Sequence, residues 1–264
     1  MKMQRAKPST PARASSGPAP TAPSNPYHPP ASGEGIDEIF TAHGVSMRAR
    51  RRQRLVMSSN RSDIIYVVKS GVLVLSANGG SGRRQVLAIL YPGDAFSMAL
   101  APPLDGVGVV AMTDCDLIRM RRSALEDFPS EMQELEAFLQ QRTAELHARS
   151  ILHIARLASL SSESRVAAFI LELALRTGQV VNDTATCDLP LSRSDIADYL
   201  SLNADTLSRI MTRLKSRGTV ATVGRSRAIV KSIKRLCNEV PICSTTLALH
   251  GYAELDDQAG NSHS

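Results

Sequence analysis

Between Leu191 and Gly218 the apolar positions recur at three- and four-residue steps in two short runs. Ile196, Ala197 and Leu200 make the first stripe, and Leu207, Ile210, Met211 and Leu214 the second. This spacing predicts two helices joined by a tight turn at Ser201-Leu202-Asn203. Ser192 stands where a hydroxyl caps the first helix, and Asn203 where a side-chain carbonyl caps the second. Small Ala197 lies where two steeply crossed helices must approach closely. The second helix keeps Asp205, Ser208, Arg209 and Arg213 on the face opposite its apolar stripe.

Three other patterns organise the rest. Segments 63–68, 72–76, 85–90, 107–112 and 116–120 are short, β-branched and bounded by turn residues such as Gly71 and Pro92-Gly93-Asp94, so they predict an antiparallel barrel or sandwich. From Glu131 to about Ala158, Met132, Leu135, Leu139, Leu146, Ile151, Ile154 and Leu157 predict one long helix, interrupted on its apolar side by Arg142. That stripe exceeds what one small sheet covers and predicts a parallel dimer seam. A further helix runs from Glu163 to Arg176, carrying Val166, Phe169, Ile170 and Leu173, with Gly178 placed to end it as a left-handed C′ residue. After the two crossed helices, residues 219–230 alternate like two strands around Gly224, the pattern of a wing.

Composition adds the partner. The chain has 264 residues and a formal net charge of +6. From Cys187 to Arg235 ten Lys/Arg stand against four Asp, so this segment alone accounts for the excess. Positive charge gathered in one place gains free energy by releasing counterions from phosphates. No tryptophan and 4 % aromatic residues leave little for stacking on single strands, which points to duplex DNA. Residues 1–35, rich in Pro, Ser, Ala and Gly, read as a disordered tail without the apolar core of a secretory signal. No apolar run reaches membrane-spanning length, which excludes a membrane partner. Cysteines at 115, 187, 237 and 243 form no CxxC pair and no regular framework, the usage of a reducing, cytoplasmic compartment, and no spacing makes a metal site.

The residues Ser192, Arg193, Asp195, Ile196, Ala197, Asp198, Tyr199 and Leu200, followed by Asp205, Ser208 and Arg209, resemble the helix-turn-helix of the Crp/Fnr transcription regulators, most closely the Fnr/FixK branch. There the first helix reads SR-x-D-I-A-D-Y-L and the second E-x-x-S-R. This chain departs at Ser201, where the family has a turn glycine, and at Asp205, one methylene shorter than the usual Glu. Ala204 replaces the Arg of the cyclic-AMP-dependent branch. The run from Ile65 through the Gly93-Asp94 turn to Leu125 resembles the family's β-roll sensor. The resemblance implies an α+β chain: an antiparallel β-roll (a cupin-like jelly roll) over 36–127, a dimerisation helix over 128–160, a winged helix-turn-helix domain over 161–236 and a tail over 237–264.

It also implies roles. Asp205, Ser208 and Arg209 would read base edges, Arg209 donating to guanine and Asp205 accepting from a cytosine amino group. Ser192, Arg193, Arg213, Lys215, Arg225 and Arg227 would contact the DNA backbone. The partners implied are double-stranded DNA, a second copy of the chain and RNA polymerase, and the function that of an activator at a palindromic promoter site. The Gly-Glu pair and the Arg with which nucleotide-binding members hold a phosphate are replaced by residues 96–100 and 105–110, which offer no cation. No cysteine precedes Cys115, so the N-terminal ligands of an iron-sulfur cluster are missing. The expectation is therefore no cofactor. A haem- or other ligand-gated regulator is the alternative, with His28, His43, Met98, Cys115, His147 and His153 as conceivable axial ligands. Cys187, ahead of the first helix and near Arg193, is a candidate redox thiol. A nonspecific architectural DNA-binding protein is the reading from another class. No nucleophile elbow, phosphate loop, metal spacing or carboxylate pair marks an enzyme.

Overall fold

The computed structural model describes residues 34–55, 63–78, 84–97, 107–224, 226–250 and 252. Helix α1 (Glu34–His43) leads into a roll of seven strands: β1 (Val45–Ala49), β2 (Ile64–Ser70), β3 (Leu73–Asn78), β4 (Arg84–Leu90), β5 (Ala95–Ser97), β6 (Gly108–Ala111) and β7 (Cys115–Arg121). One sheet has the order β1-β7-β2-β5 and the other β4-β3-β6, all pairs antiparallel.

Strand β2 shows why the roll needs neighbours. Its run Ile64-Ile65-Tyr66-Val67-Val68 is buried throughout. Alternate residues face opposite sides: Ile64, Tyr66 and Val68 join Leu73, Leu90 and Leu117 between the sheets. Ile65 and Val67 face outward, under Ile36, Ile39 and Phe40 of α1 and Leu135 and Phe138 of the long helix α2 (Pro129–Ser159). The other sheet does the same on the opposite side. Val74, Val86 and Ile89 belong to a core that continues into the C-terminal domain.

That domain comprises α3 (Ser162–Thr177), β8 (Gln179–Val181), β9 (Thr184–Asp188), α4 (Arg193–Leu200), α5 (Ala204–Ser216), β10 (Val220–Val223), β11 (Arg227–Val230), α6 (Ile233–Asn238) and α7 (Cys243–Leu249). Its sheet order is β10-β11-β9-β8. Helix α3 is its centre, with all ten residues from Val166 to Leu175 buried. Ser161 caps α3 by accepting from Ser164 N at 3.1 Å.

Three expectations need correction. The apolar residues of α2 do not form a single outward seam. Leu135 is fully buried under α1, and Leu146 packs against the interior of the roll. The face left outside carries Ile151 and Ile154, 56 % and 64 % exposed, above His147 and Ala144. Arg142 is accommodated within the chain, donating to Glu145 at 3.0 Å and lying over the Phe138 ring. Gly178 ends α3 in extended backbone (φ −86°, ψ 158°), not in the left-handed region. Its missing side chain matters through contact, since a Cβ would stand 2.3 Å from the Ala174 carbonyl oxygen. Finally, residues 243–249, expected in a loose tail, form α7. The expected tail over 1–33 lies outside the described residues, and Glu34 already belongs to α1.

Candidate nucleic-acid interface

Helices α4 and α5 are set by local chemistry. Ser192 Oγ accepts from Asp195 N at 3.2 Å, and the Asp195 carboxylate accepts from Ser192 N at 3.2 Å, a reciprocal capping box. Asn203 Oδ1 accepts from Thr206 N at 2.7 Å and opens α5. Between them Ser201 takes the left-handed conformation (φ 53°, ψ 46°), the geometry the turn requires and for which glycine is the usual residue. Arg165 of α3 donates to the Leu200 carbonyl at 2.9 Å, fixing the end of α4 from below.

Helix α5 buries Leu207, Ile210, Met211 and Leu214 and leaves Asp205, Ser208, Arg209, Thr212 and Arg213 exposed. Asp205 and Arg209 have no salt-bridge partner among the described residues. Ser208 donates its hydroxyl back to the Ala204 carbonyl at 2.8 Å. Arg213 lies 3.4 Å from Glu163 and Lys215 is exposed. The hairpin β10–β11 turns at Gly224 (φ 63°) beside α5. Arg227 on it pairs with Asp188 at 3.3 Å in open solvent, a contact worth little and easily exchanged for a phosphate. Arg225 lies outside the described residues. The structure thus brings five expected DNA-facing residues, Asp205, Ser208, Arg209, Arg213 and Lys215, onto one helix. Arg227 sits on the adjoining wing.

Ser192 and Arg193 stand apart from that group. They line a cleft of about 1080 Å³ between the start of α4 and the roll, opposite Arg51, Thr113 and Asp114. The Ser192 hydroxyl is occupied by Asp195 and Ser194. Beside the cleft lies a contact with no sequence signal. Asp195, wholly buried, receives Arg84 at 2.6 Å and Arg52 at 3.1 Å, both from the roll. Burial alone would raise its pKa, but Ser192 and the two guanidiniums hold the carboxyl below its usual range. Arg52 itself sits at φ 70°, a left-handed backbone that aims its side chain here. Gln85 of β4 donates to the Asp198 carbonyl at 2.7 Å, completing the seam.

A second ionic cluster joins roll, long helix and α3. Asp94, in the expected Gly93-Asp94 turn, is buried within 2.9 Å of Arg149 (α2) and 3.2 Å of Arg176 (α3), and accepts from Tyr91 N at 2.8 Å. Nearby, Arg156 of α2 pairs with buried Glu172 of α3. His153 stacks flat on Tyr199 of α4, ring centroids 3.9 Å apart. Burial drives the His153 pKa down to about 4, so its ring is neutral. The Pro92-Gly93-Asp94 turn was visible in the sequence, but its arginine partners were not.

Cys187 does not have the environment of a reactive thiol. It lies on β9 opposite Ala228, 2 % exposed, and burial pushes its thiol up to about 12. The Arg193 side chain is directed to solvent, so proximity in sequence gives no stabilised thiolate. Of the conceivable haem ligands, His28 and Met98 lie outside the described residues. His43 bonds Glu131 at 2.9 Å, Cys115 is buried in the roll and His153 is stacked. Among the described residues no three His, Cys, Asp or Glu side chains gather as a metal site, and no helix is long and apolar enough to cross a membrane.

Comparison with known proteins agrees with this geometry. Residues 164–239 match the Crp-like helix-turn-helix domain family, and residues 47–131 the cyclic nucleotide-binding domain family. The nitrogen fixation regulation protein FixK of Azorhizobium caulinodans is 31 % identical over 79 % of this chain and 87 % of its own length. The chain belongs to the Crp/Fnr family. It is a transcription regulator with a helix-turn-helix DNA-binding domain, in the FixK-like branch, and not an enzyme. The transcriptional activator FnrL of Cereibacter sphaeroides is 27 % identical over 71 % of this chain and 77 % of that protein. The structure of FixK2 from Bradyrhizobium japonicum superposes with a TM-score of 0.65 at 26 % identity, covering 75 % of this chain and 97 % of that one. A CooA mutant from Carboxydothermus hydrogenoformans shares the fold at 20 % identity, TM-score 0.61, over 76 % of this chain and 89 % of its own.

Proposed function

We propose that this Crp/Fnr regulator acts as a cytoplasmic homodimeric activator, reading a two-fold-related Fnr/FixK-type site and engaging RNA polymerase there. The observation that carries the reading is the exposed face of α5, on which Asp205 and Arg209 have no salt-bridge partner among the described residues. Asp205, Ser208 and Arg209 project from the first turns of a helix whose other side is locked in the core. Such a helix enters a major groove with its N-terminal residues at base edges. Arg209 donates to a guanine, Asp205 accepts from a cytosine amino group and Ser208 sits against a neighbouring base. Arg213, Lys215, Arg225 and Arg227 hold phosphates, and Arg193 reaches the backbone from the start of α4. A second copy covers the exposed row of α2 that carries Ala144, His147, Ile151 and Ile154. DNA binding needs no cyclic nucleotide, because residues 96–100 and 105–110 supply no phosphate-holding cation, and no N-terminal iron-sulfur cluster, because no cysteine precedes Cys115.

Gel-shift titration tests this directly, with a palindromic Fnr-type duplex, a scrambled duplex and added cyclic AMP. Arg209→Ala should lose about 1–3 kcal/mol on the preferred site and relax one base position. Arg227→Ala should weaken all duplexes alike and lower the salt slope by about 1. Strict dependence on cyclic AMP would overturn the ligand-free reading. Equal affinity for the scrambled duplex would favour an architectural protein, and monomer alone in sedimentation with DNA would remove the dimer.

A further inference from the structure

We propose that Cys237 and Cys243 form a reversible intrachain thiol–disulfide couple that fastens α7 onto the junction between the long helix and the DNA-binding domain. Cys237 lies in the last turn of α6 and Cys243 is the first residue of α7. Their sulfurs are bonded and their Cα atoms are 5.2 Å apart, a span that a disulfide bridges without backbone movement. The corner between them is held by its own backbone. Val240 N donates to the Cys237 carbonyl at 2.9 Å, and Cys243 N donates to the Val240 carbonyl at 3.0 Å. The two sulfurs therefore stay neighbours in either oxidation state.

The bond has something to control. Helix α7 has seven residues and no side-chain cap at its start, too short to persist on its own. Its position rests on packing, on the tether and on Thr246, which is completely buried and accepts from Arg156 of α2 at 2.9 Å. The same guanidinium pairs with Glu172 of α3. Helix α7 thus completes the polar contact that joins α2 to α3. The other two cysteines, Cys115 and Cys187, are free and buried, and burial raises both thiols, so they serve as internal controls.

The oxidant is a peroxide. The thiolate of Cys237, the more exposed of the two, attacks one peroxide oxygen and breaks the O–O bond, giving a sulfenic acid and one water. The Cys243 thiol displaces the sulfenic oxygen as a second water and forms the S–S bond. Two thiols together surrender two electrons and two protons. A dithiol reductant returns them through a mixed disulfide.

No Lys or Arg follows Arg235, so trypsin leaves both cysteines on one peptide, residues 236–264. The full-length protein is reduced with dithiothreitol, desalted, exposed to hydrogen peroxide or buffer, alkylated and digested. The expected result is an unalkylated peptide two hydrogens lighter after peroxide, and a doubly alkylated one after renewed reduction. In hydrogen exchange the amides of 243–249 should exchange about tenfold faster in the reduced protein, with those of α5 unchanged. Cys243→Ser should show the faster exchange under both conditions. Double alkylation after peroxide, over-oxidation without a disulfide, or a covalent dimer through these residues would overturn the couple. Equal α7 exchange in both states would overturn the fastening.

Discussion

The two helices of the reader each carry an aspartate in the first turn, and the two have opposite fates. Asp205 on α5 is exposed, with no salt-bridge partner among the described residues, whereas Asp195 on α4 is buried under Arg52 and Arg84. The difference is one of surroundings and not of residue type. Helix α5 turns its apolar face inward and finds only its own domain there, so its polar face stays exposed. Helix α4 is sandwiched. Tyr199 meets His153 of α2, and Asp195 and Asp198 meet β4 and the segment after β1. One helix faces outward, and its neighbour joins the DNA-binding domain to the β-roll.

Asp195→Ala breaks the comparison most strongly. It removes the capping box and strands two guanidiniums, one of them half-exposed, so the loss should be about 2–3 kcal/mol, below that of a fully buried pair. Urea unfolding measures it. Arg84→Ala keeps the cap and the Arg52 and Gln85 contacts and loses only its own ion pair, for which about 1 kcal/mol is expected. Equal losses would mean that the cap and the Arg52 contact together contribute nothing.

How much of this was legible follows from distance along the chain. Both caps, the left-handed turn, the wing and the exposed face of α5 depend on residues within a few positions, and all could be read from the sequence. The clamp could not, because Arg52 and Arg84 stand 143 and 111 residues before Asp195. The S-x-x-D spacing of Ser192 and Asp195 did carry the capping-box signal. The apolar stripe of α2 is no measure of an outward seam, since a stripe shows that residues are covered and not by what. Leu135 is covered by α1 and Leu146 by the roll. Helix α7 is not legible in its sequence, Cys-Ser-Thr-Thr-Leu-Ala-Leu, because it holds its place through Arg156 and the Cys237 bond and not through its own propensity.

A pH titration sharpens the inner side of α4. The buried ring of His153 has its pKa lowered to about 4, against an ordinary 6.5. The unfolded chain therefore takes up a proton below pH 6.5 that the folded chain refuses until about 4. Stability is fully present above 6.5 and is lost as pH falls through that window. At about 1.4 kcal/mol per pH unit, some ~2 kcal/mol should be gone by pH 5. His153→Phe, which keeps the stack on Tyr199, should flatten the slope. An unchanged slope would assign the acid sensitivity to the carboxylates.

The smallest effect lies in the turn that separates the two helices. Ser201 holds φ 53°, and a residue with a Cβ pays about 1 kcal/mol there relative to glycine. Its side chain is exposed, and no side-chain hydrogen bond of Ser201 offsets that cost among the described residues. Ser201→Gly also gains freedom in the unfolded chain, which opposes the relief of strain. The balance should favour glycine by about 0.5 kcal/mol, read as a rise in the urea midpoint at constant slope. DNA affinity should not move, because the angle between α4 and α5 is already the one glycine would adopt. A drop in affinity with unchanged stability would mean that the serine side chain itself meets the DNA, and would extend the reading surface from α5 back into the turn.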